Sequence, residues 1–289
     1  MSLDHHSSVS DHHTAPSQPA ASAARNAKPN SMKQQLKQGK VVSAMSIRYS
    51  RGVEIVGFAK SAGMQGVLVD LEHSSIDLDQ CMQFTLAALA HHITPVVRVP
   101  STACSFVGRV LDGGAQAVII PHVRTAQDAL DAARAAKFFP DGDRSAIGGL
   151  AALQYGSYPT IEANMAVNEQ VMCIIMIETL ESLENLDEIA ATNNVDVLLI
   201  GTNDMSACLG APGDHDDKRI TEIYERVISV CRKNGKAIGI GGLYARQDLI
   251  DKFIHMASGL GRFIMCGSDQ DYVLEGARRT ANWLEAYNF

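Results

Sequence analysis

Gly66-Val67-Leu68-Val69-Asp70-Leu71-Glu72-His73-Ser74 decides how this chain reads. Small and β-branched apolar residues come first, and Asp70, Glu72 and His73 then follow within four positions. An apolar run opened by glycine has the pattern of a strand buried on both faces, as in a parallel sheet. Its abrupt polar end marks the mouth of a site, because α/β barrels and open parallel sheets both place their chemistry at strand C-termini. The plainer alternative is that Asp70 caps the next helix and His73 is an ordinary loop residue. Recurrence of the same pattern downstream weighs against it.

Working outward, short apolar runs suited to strands recur at 41–46, 95–99, 116–120, 171–177, 195–200, 237–240 and 263–266. Helical spacing fills the intervals, for example at 32–40, 53–61, 78–91, 105–111 and 126–137. Eight strands alternating with helices over roughly 250 residues predict a (β/α)8 TIM barrel. A doubly wound open sheet is the alternative, but no GxGxxG follows the first strand. Residues 139–168 form the one long irregular connection and read as a candidate lid, with Tyr155 and Tyr158 either lining the site or merely packing.

Composition narrows the function. A net charge of -7 gives no footprint for nucleic acid or an anionic membrane, so neither is an expected partner and small-molecule chemistry is favoured. No run of eighteen apolar residues exists to span a membrane. Six cysteines without a CxxC pair suit a reduced, cytoplasmic protein. Residues 1–30 are rich in Ser, Ala, His, Pro and Asn and lack the apolar core of a secretory signal, which predicts a disordered tail before a single barrel domain at 31–289. His91, His92, His122 and His255 have no spaced partner for a metal site.

The strand ends carry the chemistry. Arg98 is a cation inside the run Val96-Val97-Arg98-Val99 and needs either a bound carboxylate or an internal ion pair. Asp112, in Leu111-Asp112-Gly113-Gly114, is placed to cap or to orient a histidine from elsewhere. Glu178 and Asp204 each follow a buried run on what would be neighbouring strands, where each taken alone reads more readily as a cap of the helix that follows. Two such carboxylates are costly to bury together unless a cation neutralises them. All-oxygen ligation favours Mg2+ or Mn2+, with Co2+ a further option, over zinc. A cation on Glu178 and Asp204, Arg98 for a carboxylate and His73 for protons are the parts needed to bind a 2-keto acid and stabilise its enolate. No lysine stands at a strand end to suggest a Schiff base.

From about residue 32 onward the chain resembles the HpcH/HpaI family of class II pyruvate aldolases. The carriers are Asp70-Leu71-Glu72-His73, Arg98-Val99-Pro100, Asp112-Gly113-Gly114, Pro140-Asp141-Gly142-Asp143-Arg144, Glu178-Thr179 and Gly201-Thr202-Asn203-Asp204. The resemblance implies a carbon-carbon lyase working through a pyruvate enolate, with a divalent metal on Glu178 and Asp204. It further implies His73 paired with Asp112, and Arg98 on the substrate carboxylate, assisted by backbone around Gly201, Thr202, Asn203 and Asp204. Asp70, Glu72 and Arg144 would act in support. A homo-oligomer is implied, a hexamer or trimer of dimers, with a C-terminal helix at 269–288 exchanged between subunits. Met176 stands where the family commonly has Gln, which points to an altered pocket around an intact core. The expected substrate is pyruvate, oxaloacetate or a 4-hydroxy-2-keto acid. The alternatives are a macrophomate-synthase-like oxaloacetate decarboxylase or cyclisation catalyst, a CoA-ester lyase of the citrate lyase β type, and a non-catalytic keto-acid sensor.

Overall fold

The computed structural model describes residues 22–102 and 105–287. Eight parallel strands close in chain order into a barrel: β1 (Val41–Ile47), β2 (Gly66–Asp70), β3 (Thr94–Arg98), β4 (Ala117–Ile120), β5 (Met172–Ile177), β6 (Val197–Gly201), β7 (Ala237–Gly241) and β8 (Arg262–Ser268). No expected strand is displaced by more than two residues at either end. β8 pairs with β1, so the sheet is closed and the open doubly wound alternative falls.

The two faces of each strand serve two cores. Leu68, Val96, Ile119, Ile174, Leu199 and Phe263 pack with one another inside the barrel. Their neighbours Val69, Val97, Val118, Ile175, Leu198 and Ile264 pack beneath the surrounding helices. Full burial of one such side chain contributes about 1.5–3 kcal/mol, which explains why the strands read as unbroken apolar runs. Met32 and Leu36, from the helix Ser31–Lys37, join the inner core and fill the end of the barrel where the strands begin. Gly66 is required there, because a Cβ would overlap the Met32 sulfur.

The domain starts earlier than expected. Residues 22–30 pack on this end of the barrel. The Ala23 N–H donates to Glu162 Oε1 at 2.7 Å, and the Asn30 amide donates to the carbonyls of Gln116 (3.0 Å) and Gln170 (2.8 Å). Asn30 also caps the helix Ser31–Lys37 through the Lys33 N–H. Polar bonds to backbone hold this segment, so its poverty in large apolar residues misleads. The remainder of the expected tail, residues 1–21, lies outside the described residues.

The segment 139–168 is not a lid. The helix Ala126–Ala136 returns the chain to the N-terminal rim, and the segment stays there, with a short 3-10 turn at Ala151–Leu153 and the helix Thr160–Gln170. Tyr155 and Tyr158 therefore belong to that rim. The last helix, Asp269–Glu285, is capped by Ser268 and buries only Asp269. Among the described residues no helix is long and apolar enough to cross a membrane, and none of the five cysteines is in a disulfide.

Candidate active site

Charged side chains collect where the strands end. Asp70 closes β2 fully buried, in register with Arg98 of β3. Arg98 grips it with Nε–Oδ1 at 2.9 Å and Nη2–Oδ2 at 2.6 Å, while Nη1 lies 2.9 Å from Glu72 Oε2. Arg48, the first residue past β1, donates its Nε to Asp70 Oδ2 at 2.8 Å. The N–H groups of Glu72 and His73 also point at Asp70. Burial alone would raise the Asp70 carboxyl; the bonds and charge of Arg98, then the charge of Arg48, override it and hold the group below the usual carboxylate range. Arg98 was expected to face a substrate carboxylate. The structure commits it first to Asp70 and Glu72, because a carboxylate buried at the end of β2 requires a close cation.

A second cluster joins β2, β4 and β5. His122, two residues past β4, has φ 57 and donates its backbone N–H to Glu178 Oε1 at 2.6 Å. Its ring lies between two carboxylates, Nε2 at 2.8 Å from Glu72 Oε1 and Nδ1 at 3.2 Å from Glu178 Oε1. Glu178 is 2% exposed. Burial pushes its carboxyl up, the His122 N–H and ring oppose this, and the negative charges of Asp204 and Glu72 push it further up. Gly201 at the end of β6 lets Glu178 sit close, since a Cβ there would lie 2.8 Å from Oε2.

One cavity opens between these clusters, lined among others by Arg48, His73, Arg98, Met176, Gly201 to Asp204, and Tyr244. Not every lining residue presents its side chain. The Thr202 hydroxyl is paired with Tyr224 at 3.0 Å, away from the mouth, and Asn203 Oδ1 meets His215 Nε2 at 2.8 Å. His73 is half exposed, its Nε2 3.6 Å from Glu72 Oε2. The expected His73–Asp112 pair does not form within the chain. Asp112 ends the helix Ser105–Asp112, which runs back towards the start of β4, and it binds the buried Arg144 through a 2.6 Å bond to Nη2. Arg144 stacks on Phe138 with Cζ 4.1 Å from the ring centroid. Both residues thus stand on the rim opposite His73.

The donor chemistry fits a hard cation. Four carboxylates (Asp70, Glu72, Glu178, Asp204) face two guanidiniums (Arg48, Arg98), an excess of two negative charges when the histidines are neutral. Repulsion from Asp204 and Glu72 is felt at Glu178, and a divalent cation would relieve it. Among the described residues no cluster of three His, Cys, Asp or Glu forms a complete cage. Two protein carboxylates with the remaining positions left to water or substrate is the usual pattern for Mg2+.

Three contributors escaped the sequence reading: Arg48, His122 and Tyr244. Arg48 and His122 each stand within two residues of a strand end, the rule that found Asp70 and Glu178. Spacing discounts His122 because no metal-binding partner is near in sequence, a test irrelevant to a residue that holds the Glu178 carboxylate.

Comparison with known proteins identifies the family. Residues 52–274 match the family HpcH/HpaI aldolase/citrate lyase. The chain is 37% identical to a 4-hydroxy-4-methyl-2-oxoglutarate aldolase of Hapsidospora irregularis, over 84% of this chain and 90% of that one. It is 35% identical to an enzyme of the same name from Chaetomium globosum, over 83% and 89%. A solved HpcH/HpaI aldolase/citrate lyase family protein from Burkholderia cenocepacia superposes with a TM-score of 0.79 at 26% identity, covering 89% of this chain and 99% of that one. A chain with this barrel and this ring of carboxylates at its C-terminal rim belongs to the HpcH/HpaI aldolase/citrate lyase family and is a carbon-carbon lyase.

Proposed function

We propose that the protein is a divalent-metal-dependent aldolase that cleaves 4-hydroxy-4-methyl-2-oxoglutarate, or a near analogue among 4-hydroxy-2-keto acids, to release pyruvate. The observation that carries this reading is the buried Glu178 carboxyl, raised by burial and by Asp204 and Glu72 at the end of a (β/α)8 barrel. Glu178 and Asp204 would hold Mg2+ or Mn2+. When bound, such a cation supplies Lewis-acid stabilisation for the charge that builds on the 2-keto oxygen.

The chain's own residues perform the rest. His122 fixes Glu178 Oε1 through its backbone N–H and bridges to Glu72. Arg98, immobilised by Asp70 and Glu72, presents fixed positive charge beside the cavity. His73 stands at the mouth with its imidazole accessible and takes the proton of the 4-hydroxyl. The C3–C4 bond then breaks, its electron pair passing to C3, and C4 becomes a carbonyl. A proton delivered to C3 completes pyruvate.

The same reading extends to assembly. Val273, Trp283 and Leu284 are exposed along the last helix, which the barrel of the same chain leaves uncovered. A second copy of the chain is the occupant we assign to that face, in a homo-oligomer. Pairing of His73 with Asp112 would likewise need a second copy, since the two stand on opposite rims.

The test is pyruvate release from 4-hydroxy-4-methyl-2-oxoglutarate and from oxaloacetate, with Mg2+ or with chelator, in wild type and Glu178→Gln. Metal-dependent release from the first substrate, lost by about 1,000-fold in the variant, is expected for a group stabilising charge in the transition state. Release from oxaloacetate alone would make the protein a decarboxylase. Release from neither would overturn the reading.

A further inference from the structure

The two arginines of the site are not equivalent. Arg98 is enclosed, with 5% of its side chain exposed, and three of its nitrogens are engaged by Asp70 and Glu72. Arg48 is 21% exposed and, among the described residues, meets one carboxylate, through Nε. Its Nη2 reaches the Tyr244 hydroxyl at 3.4 Å, its Cζ stands 5.9 Å from the Tyr244 ring centroid, and both residues line the cavity that also holds His73, Met176 and Asp204. The segment bearing Arg48 is pinned: Asp269 accepts the N–H groups of Arg48 (3.2 Å), Tyr49 (3.0 Å) and Ser50 (2.6 Å). A guanidinium anchored at one edge, with its outer edge turned to a cavity beside a phenol, is built to take a carboxylate.

We propose that Arg48, with the Tyr244 hydroxyl, binds the carboxylate carried on C4 of the substrate and so makes the enzyme selective for a 2-keto acid, rather than a plain aldehyde, as the second product of cleavage. This rests on the aldolase reading above and assigns the substrate class to that site. Arg48 and Arg98 both bond Asp70 Oδ2, at 2.8 Å and 2.6 Å, so their guanidiniums are separated by little more than one carboxylate oxygen and two hydrogen bonds. The two cations therefore stand side by side on one wall of the cavity, so a short diacid held there brings its second carboxylate within reach of Arg48. Arg98 and the Glu178–Asp204 side of the cavity serve the half that becomes the enolate, and Arg48 serves the half that leaves. A substrate with hydrogen or methyl in place of the C4 carboxylate would leave the outer edge of Arg48 facing the cavity without an anion.

The experiment compares two substrates in parallel: 4-hydroxy-4-methyl-2-oxoglutarate, which yields a 2-keto acid on both sides of the broken bond, and 4-hydroxy-2-oxovalerate, which yields an aldehyde. Wild type, Arg48→Met, Arg48→Lys and Tyr244→Phe are each assayed with Mg2+. For Arg48→Met the expected result is a fall of about 30- to 100-fold in kcat/KM for the diacid, mainly through KM, with the aldehyde-yielding substrate changed by less than about threefold, as befits loss of a charge-assisted bond to one group. Arg48→Lys should recover part of the diacid rate. Tyr244→Phe, which leaves Asp70 and both arginines in place, should cost a few-fold on the diacid alone. Equal losses on both substrates would overturn the proposal, because Arg48 would then merely support Asp70. No loss on the diacid, or a wild type that prefers the aldehyde-yielding substrate, would also overturn it. A wild type that cleaves neither fails the aldolase reading itself and takes this proposal with it.

Discussion

The two ends of the barrel handle buried charge differently. Where the strands begin, lysine ammonium groups point mainly at main-chain oxygens, and the ion pairs there, Lys33–Asp196 at 3.3 Å and Arg144–Asp112 at 2.6 Å, match one cation to one carboxylate. Lys33 and Lys137 each donate to the Val171 carbonyl at 2.7 Å, Lys137 also to Asn168 (2.7 Å), and Lys236 to Thr192 (2.9 Å) and Val195 (2.8 Å). Asn168 and Thr192 lie at helix C-termini, where carbonyls lack partners within the helix, so these cations act as caps. Where the strands end, charges pair with charges, and carboxylates outnumber guanidiniums. Charge tied to backbone is fully used by the fold. Charge tied to other side chains, with two negative charges left over, is available to a cation and a substrate.

Removing a partner at each end separates these roles. Asp70→Asn should have the larger effect, costing about 3–5 kcal/mol of stability because Arg98 and Arg48 would lose their shared buried carboxylate. It should also lower kcat, since Arg98 loses its anchor. Denaturant unfolding and a rate assay on the same sample would check this; a loss under about 1 kcal/mol would mean that the cluster at the strand ends is no tighter than a surface ion pair. At the other end the effect is smaller and visible in pH. Burial, aided by the charge of Lys33, pulls Lys137 down to about 8. An unfolded lysine keeps its proton to a pH of about 10.4. Between these values the unfolded state binds more protons, so wild-type stability relative to Lys137→Met should rise with pH, by about 3 kcal/mol in all, and be flat below about pH 7. Activity should follow wild type throughout. A difference that falls with pH would show that Lys137 is held charged.

The barrel was legible because parallel strands buried on both sides must be apolar throughout, and 67–69, 117–120 and 172–177 have no other reading. Asp70, Glu72, Arg98, Glu178 and Asp204 were legible because each breaks or ends such a run. Asp112 ends the helix before β4, so chain direction puts it on the rim opposite His73, and the two do not meet within one chain. The Arg98 ion pair was one of two readings that the sequence left open, and only the register of β2 against β3, which sets Asp70 beside it, decides between them. Composition predicts tail at residues 22–30 because their hold on the barrel is a set of hydrogen bonds to backbone, which composition does not record. His122 was missed because its bonds reach carboxylates distant in sequence.

Mn2+ binding followed by electron paramagnetic resonance tests the central claim most directly, with wild type, Glu178→Gln and Lys33→Met compared at one pH. Tight binding in wild type and Lys33→Met, weakened by about 100-fold or more in Glu178→Gln, is the result predicted if the surplus negative charge at the strand ends is the cation site. Equal Mn2+ affinity in wild type and Glu178→Gln would contradict it.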